Sequence, residues 1–276
     1  MNNIRARFVR GEEVKYISHL DLMRMFERAL RRSGIPIAYS QGFNPHPQLV
    51  FGLPLSVGVT SEAEYVDFEL SDMIEPGDFM DKLNRNLPSG IRIMDAREKK
   101  TKSNIMASIA VASYEVVVTD DVNVGIKEIR EILEKFLERQ EIYVSKESKG
   151  KTKQVNIRPM IYNITVKSIQ NTKALETAAK EDSSRDTCEN TWILSYIDRL
   201  RNEDTINSSI LSGALCLSML LSAGSAANLK PELLVSAFSE FSGFSFDIVK
   251  IHRSGLFISK GDKLIDPIER EALLAI

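Results

Sequence analysis

Residues Ser18–Gly58, SHLDLMRMFERALRRSGIPIAYSQGFNPHPQLVFGLPLSVG, hold two of the three histidines, four arginines and the densest Pro/Gly/Asn loop of the chain. Ser18 is an N-cap residue, and Asp21 three positions on completes a capping-box pattern and suits the positive end of a helix. Leu22, Met23, Phe26, Ala29 and Leu30 recur at three- and four-residue spacing, which predicts a helix over 19–32 with one core-facing side. Arg24, Arg28 and Arg31 or Arg32 fall along another side as a cationic stripe. Gly34 is placed to end the helix and Pro36 forbids its continuation. Two readings of the stripe stand at this point: a solvated face with Glu27 pairing Arg31, or a surface for an anion. In the loop that follows, Gly42 can take a positive φ, while Pro45 and Pro47 push Asn44 and His46 toward extended conformations. A stiff loop then displays Tyr39, Gln41, Phe43, Asn44 and His46; the alternative is an ordinary connection with Tyr39 and Phe43 plugged into the core.

Outward from this stretch, Ile4–Val9 alternates as a half-buried strand, and Ile35–Ser40 and Gln48–Phe51 read as strands flanking the loop. Glu64–Leu70 alternates strongly, with Tyr65, Asp67 and Glu69 on a face expected to be exposed and Val66, Phe68 and Leu70 on the other. Pro76–Asn86 reads as a helix and Ile91–Ala96 as a strand. The order βαββαβ predicts a ferredoxin-like split βαβ unit with an antiparallel sheet.

The run KYISHLDLMRMFERALRRSGIPIAYSQGFNPHPQLVFGLPLSVG, followed by SEAEYVDFEL (61–70) and LNRNLPSGI (83–91), resembles the radical SAM-associated bacterial domain of unknown function, in its stand-alone form. The likeness extends over nearly the whole chain, with weaker echoes in NIRPMI (156–161) and NLKPELL (228–234). It implies a bacterial protein whose partner is a separately encoded radical SAM iron–sulfur protein.

The composition, 43% hydrophobic and 27% charged over 276 residues, is that of an ordinary globular protein with room for one large core or two smaller ones. The N-terminus lacks the apolar core of a signal peptide, and the uncharged run within 205–229 carries too many serines for a lipid-facing helix. A cytoplasmic protein without a membrane partner is expected. The net charge of −2 hides an asymmetry: residues 1–60 hold eight Lys/Arg against four Asp/Glu, or +4, leaving −6 for the remainder. A basic end is the weak form of a nucleic-acid footprint. Cys188 and Cys216 stand 28 residues apart with no CxxC, so the chain supplies neither an iron–sulfur cluster nor a cysteine zinc site, and no cofactor is expected.

REKKTKSN (97–104) reads as a polar linker, dividing a domain over 1–97 from a second over 105–276. The second half repeats the plan less regularly. Ser113–Thr119 is a strand, Gly125–Arg139 an amphipathic helix, Ile142–Ser145 a short strand, and SKESKGKTKQ (145–154) a basic hairpin-like turn. Val155–Ile169 is extended with a break at Pro159, and 172–189 is a polar insertion. Thr191–Ile197 and Leu211–Leu221 read as strands, Pro231 starts a helix that Gly243 stops, and Phe246–Ile258 reads as a strand pair turning at Ser254-Gly255. The fold class expected is α+β, two tandem ferredoxin-like domains with antiparallel sheets.

Aromatic and amide side chains on a stiff loop beside a cationic groove suit single-stranded RNA. The expected RNA contacts are Lys15, Arg24, Arg28, Arg31 and Arg32 on phosphate, with Arg158 from the second domain, and Tyr39, Gln41, Asn44 and His46 on bases. The function expected is a non-catalytic accessory that positions tRNA or rRNA for the radical SAM partner; DNA is not expected. Two alternatives stand beside it: a metal-independent ribonuclease using His19 and His46 as acid and base, and a protein adaptor with no RNA affinity. No phosphate loop, nucleophile elbow or HExxH motif points elsewhere.

Overall fold

In chain order the elements are β1 (Asn2–Arg10), α1 (His19–Ser33), β2 (Leu49–Phe51), β3 (Thr60–Leu70), α2 (Pro76–Asn84), β4 (Ile91–Lys99) and the short α3 (Ile105–Ser108). They are followed by β5 (Ile109–Asp120), α4 (Ile126–Glu138), β6 (Tyr143–Ser148), β7 (Lys151–Asn156), β8 (Ile161–Ser168), β9 (Leu215–Ser222), α5 (Pro231–Ser242), β10 (Phe246–Lys260), β11 (Lys263–Ile265) and α6 (Arg270–Leu273). This computed structural model describes residues 2–120, 125–148, 151–169, 193, 196 and 214–274. The fold is mixed α+β with mostly antiparallel strand pairing. Two compact units divide the chain, and they do not follow sequence order: one holds 1–113, 222–228 and 252–276, the other 114–221 and 229–251.

In the first unit β1 lies between β4 and β3, antiparallel to both, and β2 pairs antiparallel with the other edge of β3. Farther along that edge, His252 and Arg253 pair in parallel with Thr60 and Ser61. The core is aromatic: Phe26 of α1 stands 5.2 Å from Phe8 and 5.3 Å from Phe51, and Phe68 stands 4.9 Å from Phe79 of α2, in edge-on or tilted geometry. Ser18 accepts a bond from the Asp21 amide at 3.1 Å, and Gly34 closes α1 at φ 64°, so both ends of that helix fall where expected. Ile35–Ser40 forms no strand. It contributes only single bridges, Ile37 to Leu70 and Tyr39 to Pro47, because Pro36 lacks the amide a ladder needs.

The face of β3 expected to be exposed is buried. Tyr65 and Asp67 are covered, and Asp67 receives Arg5 Nε at 2.6 Å and Lys99 Nζ at 2.8 Å. Lys99, read as part of a solvated linker, belongs to β4 and is buried at its end. Two cations on one carboxylate make burial of all three tolerable. Arg253, 1% exposed, donates to Glu64 through Nε at 2.8 Å and Nη2 at 2.6 Å, and to the Leu53 carbonyl at 2.8 Å. Arg10, also 1% exposed, donates to the carbonyls of Val14, Lys15, Ile17 and Leu55.

In the second unit the hydrogen-bonded order is β10-β5-β9-β8, and β6 and β7 form a separate two-stranded hairpin. Phe136 of α4, Phe238 of α5 and Phe246 pack in series at 5.4 Å each. The Phe246–Ile258 stretch is one continuous strand with no turn at Ser254-Gly255. Gly255 is there for space, since a Cβ would come within 2.5 Å of Ser113 Oγ. The turn comes later, at Gly261, with φ 58°. Of the expected strand 191–197, the two described residues, Ile193 and Tyr196, are helical. The polar insertion 172–189 and Cys188 lie outside the described residues.

Replacing Arg253 by Met leaves the Glu64 carboxylate buried without its principal charge partner. Chemical denaturation of R253M is expected to show a loss of about 3–5 kcal/mol, while R7M, at a half-buried arginine of β1, loses far less.

Candidate nucleic-acid interface

Four hydrogen bonds from backbone amides build the displayed loop. The Ala38 amide donates to Glu69 O at 2.8 Å and the Gln48 amide to Ala38 O at 2.8 Å. Inside that frame the Ser40 amide donates to His46 O at 2.9 Å, and the His46 amide returns a bond to Ser40 Oγ at 3.0 Å. Gly42, at φ 126°, sits where only glycine is comfortable. The two prolines and these reciprocal bonds leave the loop few alternative conformations. Phe43 stands at its tip, fully exposed, and Gln41, Asn44 and His46 are exposed beside it. Sequence alone left Phe43 between display and core. Tyr39 is also on the exposed side, at 39%.

His46 joins the loop to α1. Its Nδ1 stands 3.8 Å from Glu27 Oε1 and its Nε2 lies 3.1 Å from Asn44 Nδ2. Nδ1 is thus the ring nitrogen nearest Glu27, and Nε2 the one beside Asn44. Glu27 therefore serves the loop rather than Arg31, with which it makes no ion pair. On a helix the neighbours of Glu27 are the residues three and four away, and these include Arg24 and Arg31. The loop thus lies beside the arginine face.

The cations of that face differ in what holds them. Arg24 stands 3.6 Å from Asp21, both well exposed, a pair of little energetic weight. Arg32 donates to Asn86 O at 2.7 Å and is engaged with the end of α2. Arg28 and Arg31 are exposed and make no hydrogen bond or ion pair among the described residues. Lys15 pairs with Glu12 at 2.9 Å and lies over the Tyr16 ring. Arg158 belongs to the second unit, in a short 3₁₀ turn, where it donates to Leu137 O at 3.0 Å and Ile161 O at 3.2 Å. The first unit thus places Arg24, Arg28 and Arg31 on α1 and Tyr39, Gln41, Asn44 and His46 on one loop, with Phe43 displayed at its tip rather than plugged into the core.

His19 occupies a different place. Its half-buried ring stacks edge-on against Phe51 at 5.4 Å. Burial lowers its pKa below the ordinary histidine value, the Arg10 charge adds to that, and Glu64 opposes it. Glu27, where His46 rests, lies eight residues farther along the helix, about 12 Å at 1.5 Å per residue. His252 is buried in hydrogen-bond contact with Thr60 Oγ1 at 2.9 Å. Burial and Asp266 hold the Tyr65 phenol above its ordinary range, so it stays protonated and donates to Asp266 Oδ1 at 2.7 Å. No cluster of three or more His, Cys, Asp or Glu side chains able to hold a metal occurs among the described residues. No helix among them is long and apolar enough to cross a membrane.

A family model described as "Uncharacterized protein conserved in bacteria (DUF2344)" matches residues 3–231. No curated protein matches the chain. Among solved structures, one titled as a crystal structure of a Cbf5-Nop10-Gar1 complex aligns at TM-score 0.45 and 10% identity, over 92% of this chain and 48% of the other. The chain thus spans about half the length of that relative. An unknown protein from Galdieria sulphuraria aligns at TM-score 0.23 and 12% identity, over 90% and 96% of the two chains. At these scores neither likeness carries a function to this chain.

The lowered pKa of His19 has a measurable consequence. Its proton titration, followed by NMR, is expected to have a midpoint below 6.5. The folded chain then binds fewer protons than the unfolded one. The contribution of His19 to stability is therefore complete above 6.5 and declines as pH falls through the folded-state midpoint, a decline that H19Q removes.

Proposed function

The chain belongs to that uncharacterized bacterial family, and from this premise we propose that it is an RNA-binding accessory protein without catalysis of its own. In this reading it presents a tRNA or rRNA to a separate radical SAM enzyme, the partner suggested by the first-half motif. The observation that carries the binding role is the placement of a stiff, Phe43-tipped loop, with His46 beside Glu27, next to a helix face with two unengaged arginines. Arg28 and Arg31, with Arg24, would meet phosphates; Phe43 and Tyr39 would stack on bases; Asn44, Gln41 and His46 would reach base edges. Arg32, Lys15 and Arg158 already have protein acceptors and would contribute charge more than direct contact.

We read each unit as ferredoxin-like. In the first, the order β4-β1-β3-β2 with α1 and α2 as crossovers is that of a split βαβ unit. In the second, β10-β5-β9-β8 repeats that order with α4 and α5 in the same places, and β6–β7 as an addition between α4 and β8. The ribonuclease alternative receives less support. Its acid and base must meet on one phosphodiester, whereas the His19 ring packs on Phe51 and the His46 ring on Glu27.

R28E/R31E is expected to abolish RNA retention in a filter-binding titration, with the unfolding midpoint unchanged. F43A is expected to weaken binding by about 1–3 kcal/mol, or roughly 5- to 150-fold, from the loss of one stacked base. Recovered RNA is expected intact. Defined cuts that disappear in H46A would favour the ribonuclease. No retention at low salt, with capture of the radical SAM partner that R28E/R31E destroys, would favour the adaptor.

A further inference from the structure

The segment SKESKGKTKQ (145–154) has four lysines and one acid, and the proposed function does not use it. Among the described residues its strands β6 and β7 pair only with each other, as a ribbon outside the main sheet. The root of the ribbon is well fixed. Val144 and Ile157 are buried, the Ile157 amide donates to Ile142 O at 2.7 Å, and Asn156 Oδ1 accepts from the Ile142 amide at 3.0 Å.

Beyond the root the register sets Lys146 directly opposite Lys153, two positions out from the facing pair Val144 and Val155. Opposed residues of an antiparallel pair share one face, with Cβ atoms about 5 Å apart, and like charges there destabilise the pair. Both lysines are exposed, and neither ammonium has an acid or carbonyl partner among the described residues. A two-stranded ribbon is marginal to begin with, so this repulsion falls on an element with little stability to spare. Bringing an anion between the two ammonium groups removes it. Arg130 of α4, in the same unit, offers a contrast, for it donates to the Val166 carbonyl at 3.2 Å.

We propose that the β6–β7 ribbon is a second anion-binding element, in which Lys146 and Lys153 together grip the phosphate backbone of a single-stranded RNA. A lysine is a flexible point charge without a planar fork, so the contact would add affinity with no reading of sequence. Closely spaced phosphates satisfy two neighbouring cations at once. The proposal rests on the RNA-binding reading above, but the two are separable in the same titration.

The test is binding of a mixed-sequence single-stranded RNA by the full-length protein and by K146Q/K153Q across a salt series, with polyglutamate as a second polyanion. The expected result is RNA binding in both, with the slope of log affinity against log salt shallower by about 1.4 in the variant, for two lost phosphate contacts. A raised or equal thermal midpoint of the variant at low salt would show that its fold is intact and the repulsion relieved. Equal salt slopes, with RNA binding retained by both, would overturn the ribbon proposal and leave the α1 surface standing. Loss confined to polyglutamate would overturn it in favour of an acidic protein partner. If the unmodified protein binds no RNA at low salt, both proposals fall.

Discussion

Much of the first unit depends on two arginines that never reach solvent. Arg253 and Arg10 are each 1% exposed, and between them they satisfy Glu64 and the carbonyls of Leu53, Leu55, Val14, Lys15 and Ile17. Those carbonyls lie in two irregular segments, before α1 and after β2, which have little ladder of their own. Buried carbonyls must be paired, and a guanidinium supplies several donors in a fixed plane. The arrangement settles where the chain stands at Ile17, one residue before the N-cap of α1. It also explains why residues from the far end of the chain are indispensable here: Arg253 and Glu64 are 189 positions apart.

The same residue types have opposite fates according to what surrounds them. Arg5, Arg10, Arg253 and Lys99 are buried against carboxylates or carbonyls and hold structure together. Arg28, Arg31, Lys146 and Lys153 face solvent and make no side-chain hydrogen bond or ion pair among the described residues. Desolvating a cation without an acceptor is costly, so the first group exists only where acceptors are preassembled. The second group keeps its charge available, and it is this availability that makes a surface attractive to a polyanion. α1 has both faces at once: Leu22, Phe26, Ala29 and Leu30 enter the aromatic core, and the arginines stand opposite beside the loop.

The loop at 39–48 shows how rigidity is obtained without a strand. Gly42 turns the chain, Pro45 and Pro47 restrict their neighbours, and Ser40 exchanges bonds with His46. Exposure of Phe43 leaves an apolar ring in water. A stiff loop that bears this exposure keeps its aromatic tip ready for contact with little further ordering, which is the circumstance in which stacking is most productive.

What the sequence by itself determined is local. The limits of α1 follow from Ser18 and Gly34, α2 begins at Pro76, α5 starts at Pro231 and is stopped by Gly243, and the stiffness of the 39–48 loop follows from its glycine and prolines. Each rests on interactions within about four residues, which side-chain type and spacing express directly. The tertiary structure alone decided that Asp67 and Tyr65 are buried, that Lys99 ends a strand rather than opening a linker, that β10 runs straight through Gly255, and that 252–276 completes the first unit. It also decided that Glu27 faces His46 and leaves Arg31 unengaged. In every one of these the deciding partner is distant in sequence. An alternating strand looks the same whether its polar side meets water or a pair of buried cations, and only the fold brings Arg5 and Lys99 to Asp67.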